Sequence, residues 1–195
     1  MENFGAFIHF LNKFVPLSNE EFSLYIEPYV EVRQFRKKQL LSRQGEVDDY
    51  VNFIQRGLVR KYFIRQQEEI NLMICSEGHV VNDFESFYNR TPGEYSVEAI
   101  EPTTVFSISH ANLERIYASN ARMEKIGRKV VSHAMILKER WQLHMAKLTP
   151  RERFLEFVKK RPELLQRVPQ KFLASFLNIQ PETFSRFKHL LKERI

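Results

Sequence analysis

Near the end of the chain, two apolar-spaced stretches are separated only by Asn178-Ile179-Gln180-Pro181, which forces one stretch to bend sharply against the other. Leu173, Leu177, Phe184 and Phe187 fall where they would seal the joint between two crossed helices, and Ala174 is small where the helices approach most closely. Asn178 stands where the first helix must stop, at a site that wants a left-handed residue. Gly is usual there and Asn is the tolerated substitute. Pro181 suits the first turn of a new helix, where a missing N–H costs nothing. Ile179 then folds back into the joint. The second helix presents Glu182, Thr183, Arg186 and His189 on its polar side, an arrangement that lets a helix lie in a DNA major groove. Spacing alone suits an amphipathic hairpin with no nucleic-acid role equally well.

Charge breaks that tie. Residues 120–195 hold 18 Lys and Arg against 7 Asp and Glu, a net of +11. Residues 1–119 hold 12 against 17, a net of −5, which together give the +6 of the whole chain. A basic part joined to an acidic part implies a polyanionic partner for one of them only.

Bulk properties narrow the class. The 195 residues suffice for one large or two small domains, and 43% hydrophobic content with 17 Phe is globular. No apolar run is long enough to span a bilayer, so no membrane partner is expected. The start, Met1-Glu2-Asn3-Phe4, has no basic region of the signal-peptide kind. Cys75 is the one cysteine, which excludes an internal disulfide and a multi-Cys metal site. A cytoplasmic location fits all of this.

The elements follow in a readable order. Residues 4–14 predict a short helix, and Ser18-Asn19-Glu20-Glu21 is a capping box opening a second one that Pro28 ends. From Val30 to Ile108 short β-rich stretches succeed one another: 30–35, 39–41, 50–55, 58–64, 70–75, 95–100 and 103–108. Gln44-Gly45-Glu46, Arg56-Gly57, Glu77-Gly78 and Thr91-Pro92-Gly93 mark turns between several of them. Such spacing argues for an antiparallel sandwich or jelly roll.

Ser109 caps a short helix, and a long helix follows from about Ala121 to Leu148. On it Val130, Ala134, Leu137, Trp141, His144 and Leu148 alternate by four and three, the pattern of a coiled-coil seam. The alternative is one helix packed on its own sandwich; a seam this long and narrow, between an acidic and a basic part, favours a homodimer. Thr149-Pro150-Arg151-Glu152 restarts the chain with a second capping box, and Phe154, Leu155 and Val158 are the expected buried face of the helix after it. The expected fold class is α+β, divided into a β-sandwich domain over 1–120, a dimerisation helix over 121–148 and a helix-turn-helix domain over 149–195.

This order of parts resembles the Crp/Fnr family of bacterial regulators. Three stretches carry the resemblance: Leu40-Leu41-Ser42-Arg43-Gln44-Gly45-Glu46, Phe53-Ile54-Gln55-Arg56-Gly57-Leu58-Val59-Arg60, and Glu182-Thr183-Phe184-Ser185-Arg186. It implies a cyclic-nucleotide-binding-like sensor domain, a homodimer on double-stranded DNA and a contact with RNA polymerase. Arg186 would donate two hydrogen bonds to a guanine and Glu182 would accept from a cytosine, with Gln180, Thr183 and His189 at phosphates or flanking positions. The family continues past this helix into a wing hairpin; the sequence stops at Arg194-Ile195, so wing contacts are not expected from it.

The effector site departs from the family pattern. Asn82-Asp83 stand where the resemblance implies Gly-Glu, and Gly93-Glu94 where it implies an Arg-Ser pair holding a cyclic phosphate. The bidentate cation is gone, and Glu94 would repel a phosphate. Arg90 is near but out of register. Asn82, Asp83, Phe84, Gly93, Glu94, Tyr95 and Ser96, with Leu137 and Lys138 of the long helix, are the expected lining of a pocket for a small effector other than cyclic AMP. No cofactor is called for: an iron–sulfur sensor needs a cysteine cluster, and for a haem only His79 offers itself, weakly. His9, His79, His110, His133, His144 and His189 are scattered, which argues against a cupin-like enzyme. A dimeric ligand-binding protein whose helical end contacts protein is the other alternative.

Overall fold

The computed structural model describes residues 3–192. They fall into two compact units, residues 1–61 with 74–134, and residues 62–73 with 135–195. The division passes through the long helix after Ala134, while the sequence places a boundary at Thr149.

The N-terminal unit opens with α1 (Gly5–Asn12) and α2 (Asn19–Tyr25). The capping box of α2 is formed on both sides, Ser18 Oγ accepting from Glu21 N–H and Glu21 accepting from Ser18 N–H. Pro28 does not simply end that helix, because residues Glu27–Tyr29 continue as one 3₁₀ turn with the proline at its start. Eight strands follow: β1 (Glu31–Phe35), β2 (Leu40–Ser42), β3 (Tyr50–Arg56), β4 (Val59–Arg65), β5 (Glu68–Cys75), β6 (Val80–Val81), β7 (Ser96–Ala99) and β8 (Thr103–Ser109). They form two four-stranded sheets, ordered β1-β8-β3-β6 and β2-β7-β4-β5. The two-residue β6 was too short to show in the sequence pattern.

Alternation along β3 and β8 explains why the first sheet is buried on both faces. Ile54 and Val105 point between the sheets, into a core shared with Phe35, Leu41, Val59 and Val97. Their neighbours Phe53 and Phe106 point the other way, into a second core with Phe7, Phe10 and Phe22 from the N-terminal helices. Phe7 stacks on Phe53 at 4.8 Å, and Phe4 lies 4.7 Å from Phe106. Each ring removed from water contributes on the order of 1.5–3 kcal/mol. Between β6 and β7 lies the short α3 (Phe84–Asn89); after β8 come α4 (His110–Ser119), capped by Ser109, and α5 (Ala121–Lys147). Met123 and Ile126 of α5 are buried in the second core.

The C-terminal unit contains the remainder of α5, then α6 (Pro150–Lys160), α7 (Leu164–Arg167), α8 (Gln170–Phe176) and α9 (Pro181–Lys192). Thr149 and Glu152 close the capping box of α6 as expected. Its buried face differs from the sequence expectation. Leu155 is 43% exposed, while Phe154, Phe157 and Arg153 are buried. At 100° per residue these three form one stripe, and Leu155 falls well to one side of it. The tip of the β4–β5 hairpin belongs to this unit: Asn71 N–H donates to Ser175 Oγ of α8 at 2.9 Å.

The expected seam residues of the long helix have the following surroundings within the chain. Val130 packs against the N-terminal core. Trp141 stacks on Phe176 with centroids 4.4 Å apart and planes 6° from parallel, and also stacks on His144. His144 Nδ1 lies 3.5 Å from a Glu156 carboxylate oxygen. Trp141 and His144 make these contacts while remaining half-buried, and Ala134 and Leu137 are exposed. The other large apolar residues left exposed on α5 are Met135, Ile136 and Leu143. An apolar stripe requires a covering surface but does not say which one.

Candidate nucleic-acid interface and effector site

The helix pair in the C-terminal unit is built by local rules. Asn178 has φ +51°, the left-handed conformation expected of it. Ile179 N–H donates to Ala174 carbonyl at 2.9 Å and Asn178 N–H to Ser175 carbonyl at 3.0 Å, which together satisfy the open carbonyls at the end of α8. Ile179, Leu173, Leu177 and Phe184 are buried in the joint. Phe154 of α6 meets Phe184 edge-on at 5.1 Å and Phe187 at 5.5 Å, so α9 is held by its apolar face. The buried Arg153 donates to the carbonyls of Met145 and Asn178, both at 3.0 Å.

The opposite face of α9 is open. Gln180, Glu182, Arg186 and His189 are exposed and Thr183 is half-buried. At 100° per residue, Glu182, Arg186 and His189 lie within one narrow strip. This surface offers a forked cation, a carboxylate and an imidazole from a rigid helix, the groups needed to read base edges. The chain end at Arg194-Ile195, where a wing would follow, lies outside the described residues.

In the N-terminal unit the expected effector residues divide between two places. Around Asp83 there is a closed polar cluster. Asp83, 2% exposed, donates its N–H to Asp48 Oδ2 at 2.6 Å. Its own Oδ1 lies 3.8 Å from Lys61 Nζ, which donates to Asn82 carbonyl at 3.2 Å and sits 4.2 Å from the centroid of the Tyr95 ring. A Cβ placed on Gly93 would stand 2.6 Å from Asp83 Oδ2, so glycine at 93 makes room for that carboxylate. Burial raises the Asp48 carboxyl above its ordinary value, opposed by the N–H groups of Asp83 and Tyr50. A buried acidic pair fills this place, which disfavours any phosphate there. Arg90 does not compensate: it adopts a left-handed backbone and directs its guanidinium to Asp49 and to the carbonyls of Asp48 and Phe87. Ser96 Oγ accepts from Gln44 N–H, and Glu94 is exposed.

Asn82 and Phe84 instead border a cavity of about 150 Å³. Its wall comes from α1, β3, β6, β8, α3, α4 and the first half of α5. The α5 residues lining it are Met123, Ile126, Gly127, Val130, Val131 and Ala134, whereas Leu137 and Lys138 belong to the C-terminal unit. Tyr88 and Tyr117 both line the cavity, and burial pushes the Tyr117 phenol far above its usual value. Lys61, Asp48 and the Tyr88–Tyr117 pair escape sequence reasoning because nothing in their spacing links them; a wall drawn from seven elements has no periodicity. Among the described residues no group of three or more His, Cys, Asp and Glu could hold a metal ion, and none of the helices is long and apolar enough to cross a membrane.

Residues 32–120 match the family model described as cyclic nucleotide-binding domain. Among solved structures the chain is similar to FixK2 from Bradyrhizobium japonicum, with 17% identity and a TM-score of 0.72 over 85% of each chain. It is similar to the c-di-GMP responsive global regulator CLP of Xanthomonas campestris, with 17% identity and a TM-score of 0.67 over 90% of this chain and 93% of that one. It is also similar to the catabolite activator protein of Thermus thermophilus, with 18% identity and a TM-score of 0.57 over 93% of this chain and 86% of that one. No curated protein matches the sequence. Residues 32–120 thus match a cyclic nucleotide-binding domain, and from its N-terminal sandwich to its closing helix pair the chain shares the fold of FixK2, CLP and the catabolite activator protein.

Proposed function

We propose that the protein is a sequence-specific DNA-binding transcription regulator acting as a homodimer, with an effector other than a cyclic nucleotide. The observation that carries this reading is the exposed strip of Glu182, Arg186 and His189 on a helix whose other face is locked into the joint. The net charge of +11 over residues 120–195 supplies the attraction to phosphates. Dimerisation is supported by Ile136 and Leu143, which are 45% and 53% exposed and seven residues apart on α5, in line with each other. A second copy of the chain covering them would put two recognition helices on a two-fold axis, reading an approximate palindrome. The closed acidic cluster at Asp48 and Asp83 supports a ligand without a phosphate.

Selection of bound duplexes from a random pool tests the reading, followed by anisotropy titrations across a salt series. An enriched palindrome and a steep loss of affinity with salt are expected. An unenriched pool with salt-independent binding would overturn it in favour of a protein-contacting helical end.

A further inference from the structure

We propose that the cavity of the N-terminal unit is a binding site for an uncharged small molecule of about one six-membered ring, oriented by the Tyr88–Tyr117 hydroxyl pair. This names the ligand class for the regulator proposed above and rests on that reading for its regulatory meaning; the binding itself stands on the cavity.

Size comes first. The volume is about 150 Å³, and apolar protein cavities of roughly that size take up benzene. The wall is then selective by chemistry. Phe, Leu, Ile, Val and Met dominate it, the polar members are Asn82, Tyr88 and Tyr117, and it contains no charged residue. A charged guest would lose its hydration with nothing to replace it, whereas an uncharged ring loses nothing comparable. Two tyrosine side chains line the cavity, and a phenol hydroxyl can rotate to bond a single hydroxyl or carbonyl on the guest.

Access and consequence follow from the same residues. Phe84, 45% exposed, and Tyr88 pack with centroids 4.6 Å apart and planes tilted by 50° on the six-residue α3, whose N-cap Asp83 makes no side-chain capping bond. The α3 turn therefore carries both the acidic cluster at its start and two aromatics at the cavity. On α4 Tyr117 lies directly over Gly127 of α5, where any Cβ would collide with its ring. A guest that moves Tyr117 acts on α5 at that point.

The test uses the purified full chain with benzene, phenol and benzoate as probes, read by saturation-transfer NMR and calorimetry. Benzene and phenol are expected to bind, phenol more tightly, and benzoate not to bind. Tyr117→Phe should leave benzene unchanged and weaken phenol about tenfold. Val130→Phe, which fills the wall, should weaken both at least about tenfold. No transfer from any probe, benzoate binding as tightly as phenol, or full binding by a folded Val130→Phe chain would each overturn the proposal. Should Val130→Phe not fold, the phenol preference of Tyr117→Phe decides alone. Duplex DNA binding is measured without probes, so failure of the DNA reading is seen separately.

Discussion

Arg153 Nη2 donates to the carbonyl of Asn178 at 3.0 Å, while Nη1 of the same guanidinium donates to the carbonyl of Met145, also at 3.0 Å. One buried fork on α6 thus ties the bend before α9 to the last turn of α5. The cation also faces the negative end of the α5 dipole, where positive charge is favoured.

Replacing it should be costly in a specific way. Arg153→Met keeps the buried stem but leaves two carbonyls unpaired, and should destabilise the C-terminal unit by about 2–3 kcal/mol. Arg153→Lys should not rescue, because an ammonium cannot fork between the two acceptors. Urea unfolding monitored at Trp141, which stacks in this unit, reads both variants. Equal stability of all three chains would show that the fork contributes nothing.

The bend can be probed independently through its backbone. Asn178→Gly should match or exceed the parent in stability, because φ +51° suits glycine without strain. Asn178→Val should lose roughly 1–2 kcal/mol at the same site. The thermal midpoint of Asn178→Gly should therefore stay at or above that of the parent, and that of Asn178→Val should fall below it.

Base reading has its own signature. Arg186→Ala should weaken binding to the selected duplex by roughly 1–3 kcal/mol, with relaxed preference at one base pair per half-site and unchanged melting. The exposure of Arg186 is why folding should be indifferent. Unchanged specificity in competition assays would remove Arg186 from the reading surface.

The acidic cluster should be visible in pH dependence. The folded chain holds the Asp48 proton more tightly than the unfolded chain, because burial raises this carboxyl from 3.8. That contribution to stability is fully present below 3.8 and is lost as pH rises through the folded value. Asp48→Asn cannot titrate, so the stability of the parent relative to the variant should fall between 3.8 and neutrality. Urea titrations over that interval give the comparison; a difference that does not change with pH would mean that Asp48 ionises normally.

What could be read in advance was what local chemistry decides. Asn178, Pro181, Ser18 with Glu21 and Thr149 with Glu152 act within one turn of themselves, so sequence and structure agree there. Most strands were legible because alternation and turn residues are also local. The long helix was read less well. Trp141 and Val130 announced an apolar stripe, but such a stripe is equally satisfied by a partner chain or by the chain's own core. Of the cavity's wall only Asn82 and Phe84 were legible, since Phe7, Tyr88 and Val130 meet only after folding. Leu155 misled because its hydrophobicity outweighed its angle on the helix.

The fit between Asp83 and Gly93 couples the two positions. An arginine at 93 would drive a side chain into the carboxylate beside it, and removing the carboxylate alone would leave Lys61 tied to the Asn82 carbonyl. Either first step yields a chain worse than its parent and no better at holding an anion. Turning this cluster into an anion site therefore takes at least two coordinated changes, at Gly93 and at Asp83, and neither alone makes room for the other.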